Sequence, residues 1–504
     1  MLLGLDLGTG SVKALLLDEG GAVRGEGAAS YPIRAPRAGW AESSPEDWWE
    51  AVLEATVVAV GPRGSEVAAV GLSGQMHGVV LAGGGGRPLR PAVLWADARS
   101  GEQLSAYRGL AVDLRGRLAN PPAVGMAGPS LLWLRDHEPD LYASARWALQ
   151  PKDWLRLRLT GEAAAEPSDA SATLLYDLPA DDWAYPVVEA LGLRAGLLAP
   201  LVASAGVAGA LTEDAARELG LRAGLPVAAG AADTAAAMLG GGLLRPGAVQ
   251  LTVGTGAQIV SPKDAPEPDS HERTHLYRAA TAEPPGLWYA MAAVQNAGLA
   301  LEWVRRVLGV SWEEVYEEAF AVPPGAGGVV FLPYLSGERT PRFDPGARGA
   351  WTGLGLDHDR GHLLRAALEG VAFALREGLE ALESAGTPVT ELRLAGGGTS
   401  GAGNSGGPWR QLLADVLGRP LLLLPEGVAS VASARGAALL AGIACGAYRK
   451  VEDTLVVAPE PGSSVHPSGA GPDYEEPYAR YRQLYPGLHR EGRDAREPGT
   501  ATGL

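Results

Sequence analysis

The chain opens with MLLGLDLGTGSVKALLLDEGG, and its course after the glycine turn constrains the fold more than any other feature. Leu2–Leu7 is an apolar run broken only by Asp6, and it reads as a buried strand. Gly8-Thr9-Gly10 then turns the chain. A dinucleotide- or P-loop-type glycine turn leads into a long helix. Here the chain enters a second short apolar run at residues 13–18, turns at Glu19-Gly20-Gly21, and starts a third run at 22–27. The turn therefore joins two strands of a meander, and no G-x-x-x-x-G-K-[ST] occurs in the chain.

The pattern returns once. Residues 249–253 read as a strand, Gly254-Thr255-Gly256 as a turn and 257–260 as another strand, which predicts two related halves unless the likeness is chance in a glycine-rich chain. Between and after them, strand-like runs at 67–72, 227–229, 328–333 and Glu391–Ala395 alternate with helical patterns. Those patterns lie at 44–60 (Ser44 as N-cap, Pro45 at the first position), 130–137, 153–159, 235–239, 361–384 and 409–417. Strands alternating with helices in both halves predict an α/β protein.

At 504 residues the chain exceeds one hydrophobic core, so two large domains are expected. A net charge of −16 without a Lys/Arg block argues against nucleic acid or an anionic membrane as partner, so an anionic ligand would have to be gripped locally. Cys445 is the single cysteine, which excludes an intrachain disulfide and a thiolate metal cluster and fits a cytoplasmic setting. The first residues lack a basic n-region, and the best membrane-span candidate, residues 436–446, reads as a closely packed soluble helix.

Asp6 inside a strand costs several kcal/mol if ionised and unpaired. It either helps to hold Mg²⁺ near a polyphosphate or is satisfied by backbone amides. Gly8, Thr9 and Gly10, and again Gly254, Thr255 and Gly256, can bring backbone N–H groups close to phosphate, and the two turns together would clamp a triphosphate. Lys13 adds a point charge there or is an exposed strand lysine. Asp233 lies where a strand runs through Gly230-Ala231-Ala232 into a helix, and reads as a general base or as a helix N-cap. Gln75, Met76 and His77 in a glycine-bounded loop, with Trp95, Asp97 and Arg99, suit a polyol pocket, although Asp97 and Arg99 also suit a structural ion pair. The remaining histidines, His271 and His275 included, read as surface or structural. Gly396, Gly397 and Gly398 at a strand end would let a flat adenine ring approach the backbone.

These stretches resemble the FGGY family of carbohydrate kinases from Leu2 to about Gly446. The likeness is carried by GLDLGTGSVK, GLSGQMHG (71–78), LRPAVLWADARS (89–100), QPKDWLRLRLTGE (150–162), FLPYLSGERTPRFDP (331–345) and GLGLDHDRGHLLRAALEG (353–370). The resemblance implies two ribonuclease H-like domains of the actin/hexokinase ATPase type flanking a catalytic cleft. It places a sugar-binding, base-carrying domain at 1–243, a nucleotide-binding domain at 244–490 and a flexible tail at 491–504. It implies transfer of the γ-phosphoryl group of MgATP to the terminal 5-hydroxyl of D-xylulose, with a homodimer or a tetramer as the common assembly. It further implies that Asp233 is the base and Asp6 the Mg²⁺-associated aspartate, with Met76 and His77 on the sugar. The two turns and Lys13 would meet the phosphates, and Gly396–Gly398 the adenosine. The alternatives are another ketose or polyol as acceptor and, from another class, an actin-like ATP-binding protein without sugar chemistry. Three positions depart from the family pattern: Thr234, a sugar contact where Asn is frequent; Ser130, where Lys is usual; and the longer stretch from Gly396 to Gln411.

Overall fold

The computed structural model describes residues 1–280, 287–397, 406–425 and 427–494. Two seven-stranded sheets form its frame. In the first, Leu2–Leu7 pairs antiparallel with Ser11–Leu17, which pairs antiparallel with Val23–Ser30. On its other side Leu2–Leu7 pairs in parallel with Ala69–Gly74, with Pro226–Ala228 and Val207–Ala210 next outward. In the second, Ala248–Val253 pairs antiparallel with Ala257–Lys263, then come Trp288–Val294 and His275–Arg278. The other side of Ala248–Val253 carries the parallel strands Glu391–Ala395 and Leu421–Leu423. Each sheet thus places antiparallel strands, opened by a Gly-Thr-Gly turn, on one side of its first strand and a parallel strand on the other. The repeated turn marks a repeated fold.

Helices cover both faces of the first sheet. Pro45–Val60 packs on Val23–Ser30, where Gly25 and Gly27 give the helix backbone room at Ala59 and Ala55. Ser44 holds the predicted cap position, but its hydroxyl donates to the Glu46 carboxylate (2.6 Å) and caps no backbone amide. The opposite face is covered by Val428–Ala444, a helix of small residues contributed by the second half of the chain. A Cβ on Gly4 would lie 1.9 Å from the Ala434 carbonyl oxygen, and one on Gly71 would lie 1.8 Å from that of Ala437. The same helix lies against Asp233–Gly240, with Gly436 facing the Ala236 carbonyl. One hydrophobic core therefore joins Leu3, Leu5 and Val70 to Ala434, Ala438 and Leu439, although these stretches lie far apart in the chain. The second core packs Val249, Leu251 and Leu394 against the long helix Arg360–Ser384 and against Trp409 of Gly406–Leu417. The last helix, Glu475–Asp494, takes residues 491–494, where the tail was expected to begin, into regular backbone.

Candidate active site

Strand register brings the two predicted aspartates to one end of the first sheet. Asp6 pairs with Ser73, and Ser73 pairs with Ala231 of the short strand Ala231–Ala232, so Asp233 emerges one step beyond the edge at which Asp6 lies. The Ser73 hydroxyl donates to Asp6 Oδ1 (3.0 Å). Burial pushes the Asp6 carboxyl above the ordinary carboxylate range, against that hydrogen bond and the charge of Lys13. Asp233 is the first residue of its helix, with Ala232 in the cap position. Both bonds it accepts fall on one oxygen: Thr234 donates its N–H (2.6 Å) and its hydroxyl (3.2 Å) to Oδ1. Burial, and then the charge of Asp6, push the Asp233 carboxyl up to about 7. A half-buried carboxylate with one unengaged oxygen and a proton affinity near neutrality has the properties of a general base.

The two glycine turns offer the same unpaired groups. Gly8 N–H bonds to the Ser11 carbonyl (3.0 Å) and Gly254 N–H to that of Gly256 (2.8 Å). Among the described residues, the amides of Thr9, Gly10, Thr255 and Gly256 make no hydrogen bond within the chain. The second turn is seated on the helix Gly298–Leu308, whose Gly298 and Leu299 amides bond to the Gly254 and Thr255 carbonyls (3.0 and 2.8 Å). The pairing of Thr252 with Ala395 puts Gly396 and Gly397 at the same sheet edge as this turn. Gly396 has φ +102° and a Cβ there would lie 2.2 Å from the Val253 carbonyl oxygen, so that close crossing of two strand ends requires glycine. Gly398 lies outside the described residues. The Lys13 ammonium, expected on a phosphate or in solvent, donates to the Ser430 carbonyl in the first turn of Val428–Ala444 and so ties the two halves together.

The polyol pocket is built from both halves. His77 is buried with φ +70°, and its Nδ1 lies 2.7 Å from the Ala172 carbonyl, which makes Nδ1 the protonated nitrogen and leaves Nε2 as the free ring atom. Burial pulls its pKa down to about 4, so the ring is neutral at pH 7. Met76 accepts the Tyr289 hydroxyl at its sulfur (3.8 Å). Gln75 is fully buried and its Oε1 has no protein partner. The Trp95 indole N–H donates to Thr9 Oγ1 (2.9 Å) and so joins the pocket to the first glycine turn.

Asp97 and Arg99, placed by sequence on the substrate, are engaged elsewhere. Asp97 accepts the Ala41 amide (2.6 Å) and the Arg99 guanidinium (2.8 Å), while Arg99 also bonds to Glu42 (2.6 Å) and lies 3.5 Å from the Trp40 ring centre. Both side chains are about 1% exposed and are held by each other and by Glu42. The ion-pair alternative is the one the structure realises.

Tyr277, Tyr289 and Arg339, which sequence reading did not single out, line the other side together with His275, which it read as surface or structural. His275 is 2% exposed, which leaves the structural of its two readings. Its ring stacks on Tyr277 (5.5 Å), which in turn lies 5.9 Å from His77. His275 Nδ1 and the Tyr277 hydroxyl are buried without a protein partner. Tyr277 pairs with Tyr289 across the sheet, and the Arg339 guanidinium stands over the Trp95 ring at 5.3 Å. The available signals were the alternating polar aromatics of His275–Arg278 and the arginine within GERTP; no local rule says that these segments fold back over His77.

Comparison with known proteins agrees with this geometry. The model of the FGGY family of carbohydrate kinases, N-terminal domain, matches residues 1–240, and that of the C-terminal domain matches 249–445. The chain belongs to the FGGY family of carbohydrate kinases. It is 34% identical to a xylulose kinase of Escherichia coli (strain K12), over 96% of this chain and 98% of that one. To a xylulose kinase of Bacillus subtilis (strain 168) it is 31% identical, over 96% of both chains. The crystal structure of a xyloylose kinase from Brucella ovis superposes with a TM-score of 0.88 at 36% identity, covering 97% of this chain and 99% of that one. A sugar kinase of this family uses ATP as a substrate. No helix among the described residues is long and apolar enough to cross a membrane.

Proposed function

We propose that this protein transfers the γ-phosphoryl group of ATP to the 5-hydroxyl of D-xylulose, giving D-xylulose 5-phosphate and ADP. The observation that carries the chemistry is Asp233, whose free carboxylate oxygen is held at the sheet edge while Thr234 occupies the other. The ketopentose is supported by the xylulose kinases to which nearly the whole chain is similar. Asp233 accepts the hydroxyl proton as the new O–P bond forms and the bond from the γ-phosphorus to the bridging oxygen breaks. Such a transfer is loose, so positioning and charge stabilisation supply most of the rate. The four unengaged turn amides, at Thr9, Gly10, Thr255 and Gly256, are the groups this reading assigns to phosphate oxygens.

Mg²⁺ fits as a companion of the nucleotide rather than as a resident ion. Among the described residues no cluster of three or more His, Cys, Asp or Glu is arranged to hold a metal. Asp6 is a single buried carboxylate beside a second one, and the ammonium nearest to it is bound to Ser430. Such a place suits a divalent cation that brings its own water and phosphate ligands, which when bound would neutralise charge on the transferring group. Coupled ADP release measured across pentuloses, hexuloses and polyols tests the proposal. ADP release that no sugar stimulates would return the chain to the non-catalytic ATP-binding reading, and a larger kcat/KM for a different acceptor would replace xylulose.

A further inference from the structure

The Arg339 guanidinium is a cation without a carboxylate partner among the described residues. Its neighbour Glu338 acts on it through its charge but makes no hydrogen bond to the guanidinium: Glu338 Oε1 accepts the Gln295 amide (2.6 Å) and the Arg339 backbone amide (2.8 Å). The guanidinium instead lies over Trp95, whose indole is fixed by Thr9. The segment around it is pinned, since Thr340 N–H bonds to the Ala293 carbonyl (2.9 Å) and Ala293 N–H to Thr340 Oγ1 (3.1 Å). Around the same space stand Tyr277 and His275, the latter 5.1 Å from Phe343 by ring centres, with the unpartnered Tyr277 hydroxyl and His275 Nδ1. The charge of Arg339 acts on His77, His275 and Tyr277, whereas the charge acting on Asp233 is that of Asp6. Arg339 thus faces the pocket over Trp95, beside Tyr277 and His275.

A half-buried fork of N–H donors with no acceptor among the described residues is free to take one from the ligand. A 2-ketopentose has a free 5-hydroxyl only in its open-chain form, because furanose closure consumes that oxygen. Whenever the hydroxyl can react, C2 therefore carries an unprotected carbonyl at the opposite end. We propose that Arg339 donates to the C2 carbonyl oxygen of the open-chain acceptor and thereby selects ketoses over the corresponding polyols. The inference rests on the sugar-kinase reading above.

The test compares wild type with Arg339→Gln and Arg339→Lys on D-xylulose and on D-arabinitol, which keeps the terminal hydroxyls but lacks the carbonyl, with thermal melting to verify folding. For Arg339→Gln the expected result is a ~10–100-fold rise in KM for D-xylulose, an unchanged KM for ATP and a clearly smaller loss of kcat/KM on D-arabinitol than on D-xylulose. Arg339→Lys, which keeps the charge but not the fork, should recover part of the ketose affinity. Should Arg339→Gln melt early, binding of D-xylulose to folded Arg339→Lys in the absence of nucleotide serves as the second measurement, and undiminished affinity there overturns the proposal. Equal losses on both acceptors, or a rise in KM for ATP, would also overturn it and move Arg339 to a general packing or phosphate role. If wild type itself releases no ADP in response to any sugar, the underlying kinase reading fails instead.

Discussion

Thr234 directs both its amide and its hydroxyl to the same carboxylate oxygen of Asp233, leaving the second oxygen unengaged at the sheet edge. This fixes the direction from which a hydroxyl can hand over its proton. Asp233→Ala should lower kcat by ~10²–10⁴ while leaving both KM values within several-fold. Steady-state kinetics check this, and near-normal turnover would remove Asp233 from the role of base.

The Asp233 carboxyl, pushed up to about 7, must be deprotonated to act. Below that value kcat/KM should fall ~tenfold per pH unit, with a plateau above it. Thr234→Val deletes a hydrogen bond to the charged form, so the profile should move to higher pH. A profile flat between pH 5 and 8 in wild type would exclude Asp233 as the titrating group.

The same shift affects stability in the opposite sense. From the ordinary value near 3.8 up to about 7, the folded chain holds a proton at Asp233 that the unfolded chain has released. Stability contributed by this group is therefore lost as pH rises through that window. Asp233→Asn, which cannot ionise, should raise Tm at pH 8 and leave it little changed at pH 4, as read by calorimetry.

Arg99 and His77 should separate cleanly. Arg99→Ala leaves Asp97 and Glu42 buried without their cation and should cost ~3–5 kcal/mol of stability, measured by denaturant titration. His77→Ala should chiefly raise the apparent KM for the sugar. An effect of His77→Ala confined to the nucleotide constants would contradict its place in the pocket.

Gly71→Ala should also destabilise, because its new methyl group meets the Ala437 carbonyl oxygen at 1.8 Å in a contact of backbone with backbone. The strand or the helix Val428–Ala444 must shift, a rearrangement of the kind that costs ~1–3 kcal/mol, visible as a lower Tm.

Much of this protein was legible locally. A run of apolar residues ended by Gly-Thr-Gly specifies a strand and a tight reversal wherever it occurs, and its recurrence at Gly254 announced the second sheet. Asp6 and Asp233 were visible because a carboxylate at the end of an apolar strand is costly unless it has a use. Both signals lie in the local order of amino acids, although the Ser73 hydroxyl that serves Asp6 comes from a distant strand. The remaining features depend on segments distant in the chain. Whether Asp97 and Arg99 face a ligand or each other was decided by Glu42 and Trp40 closing around them. His275, Tyr277 and Arg339 acquire meaning only because the second half folds its strands over His77 and Trp95. The helix Val428–Ala444 covers the first sheet because Gly4 and Gly71 carry no side chain beneath it. Such close approach is a property of two surfaces meeting, and periodicity within either segment records only half of it.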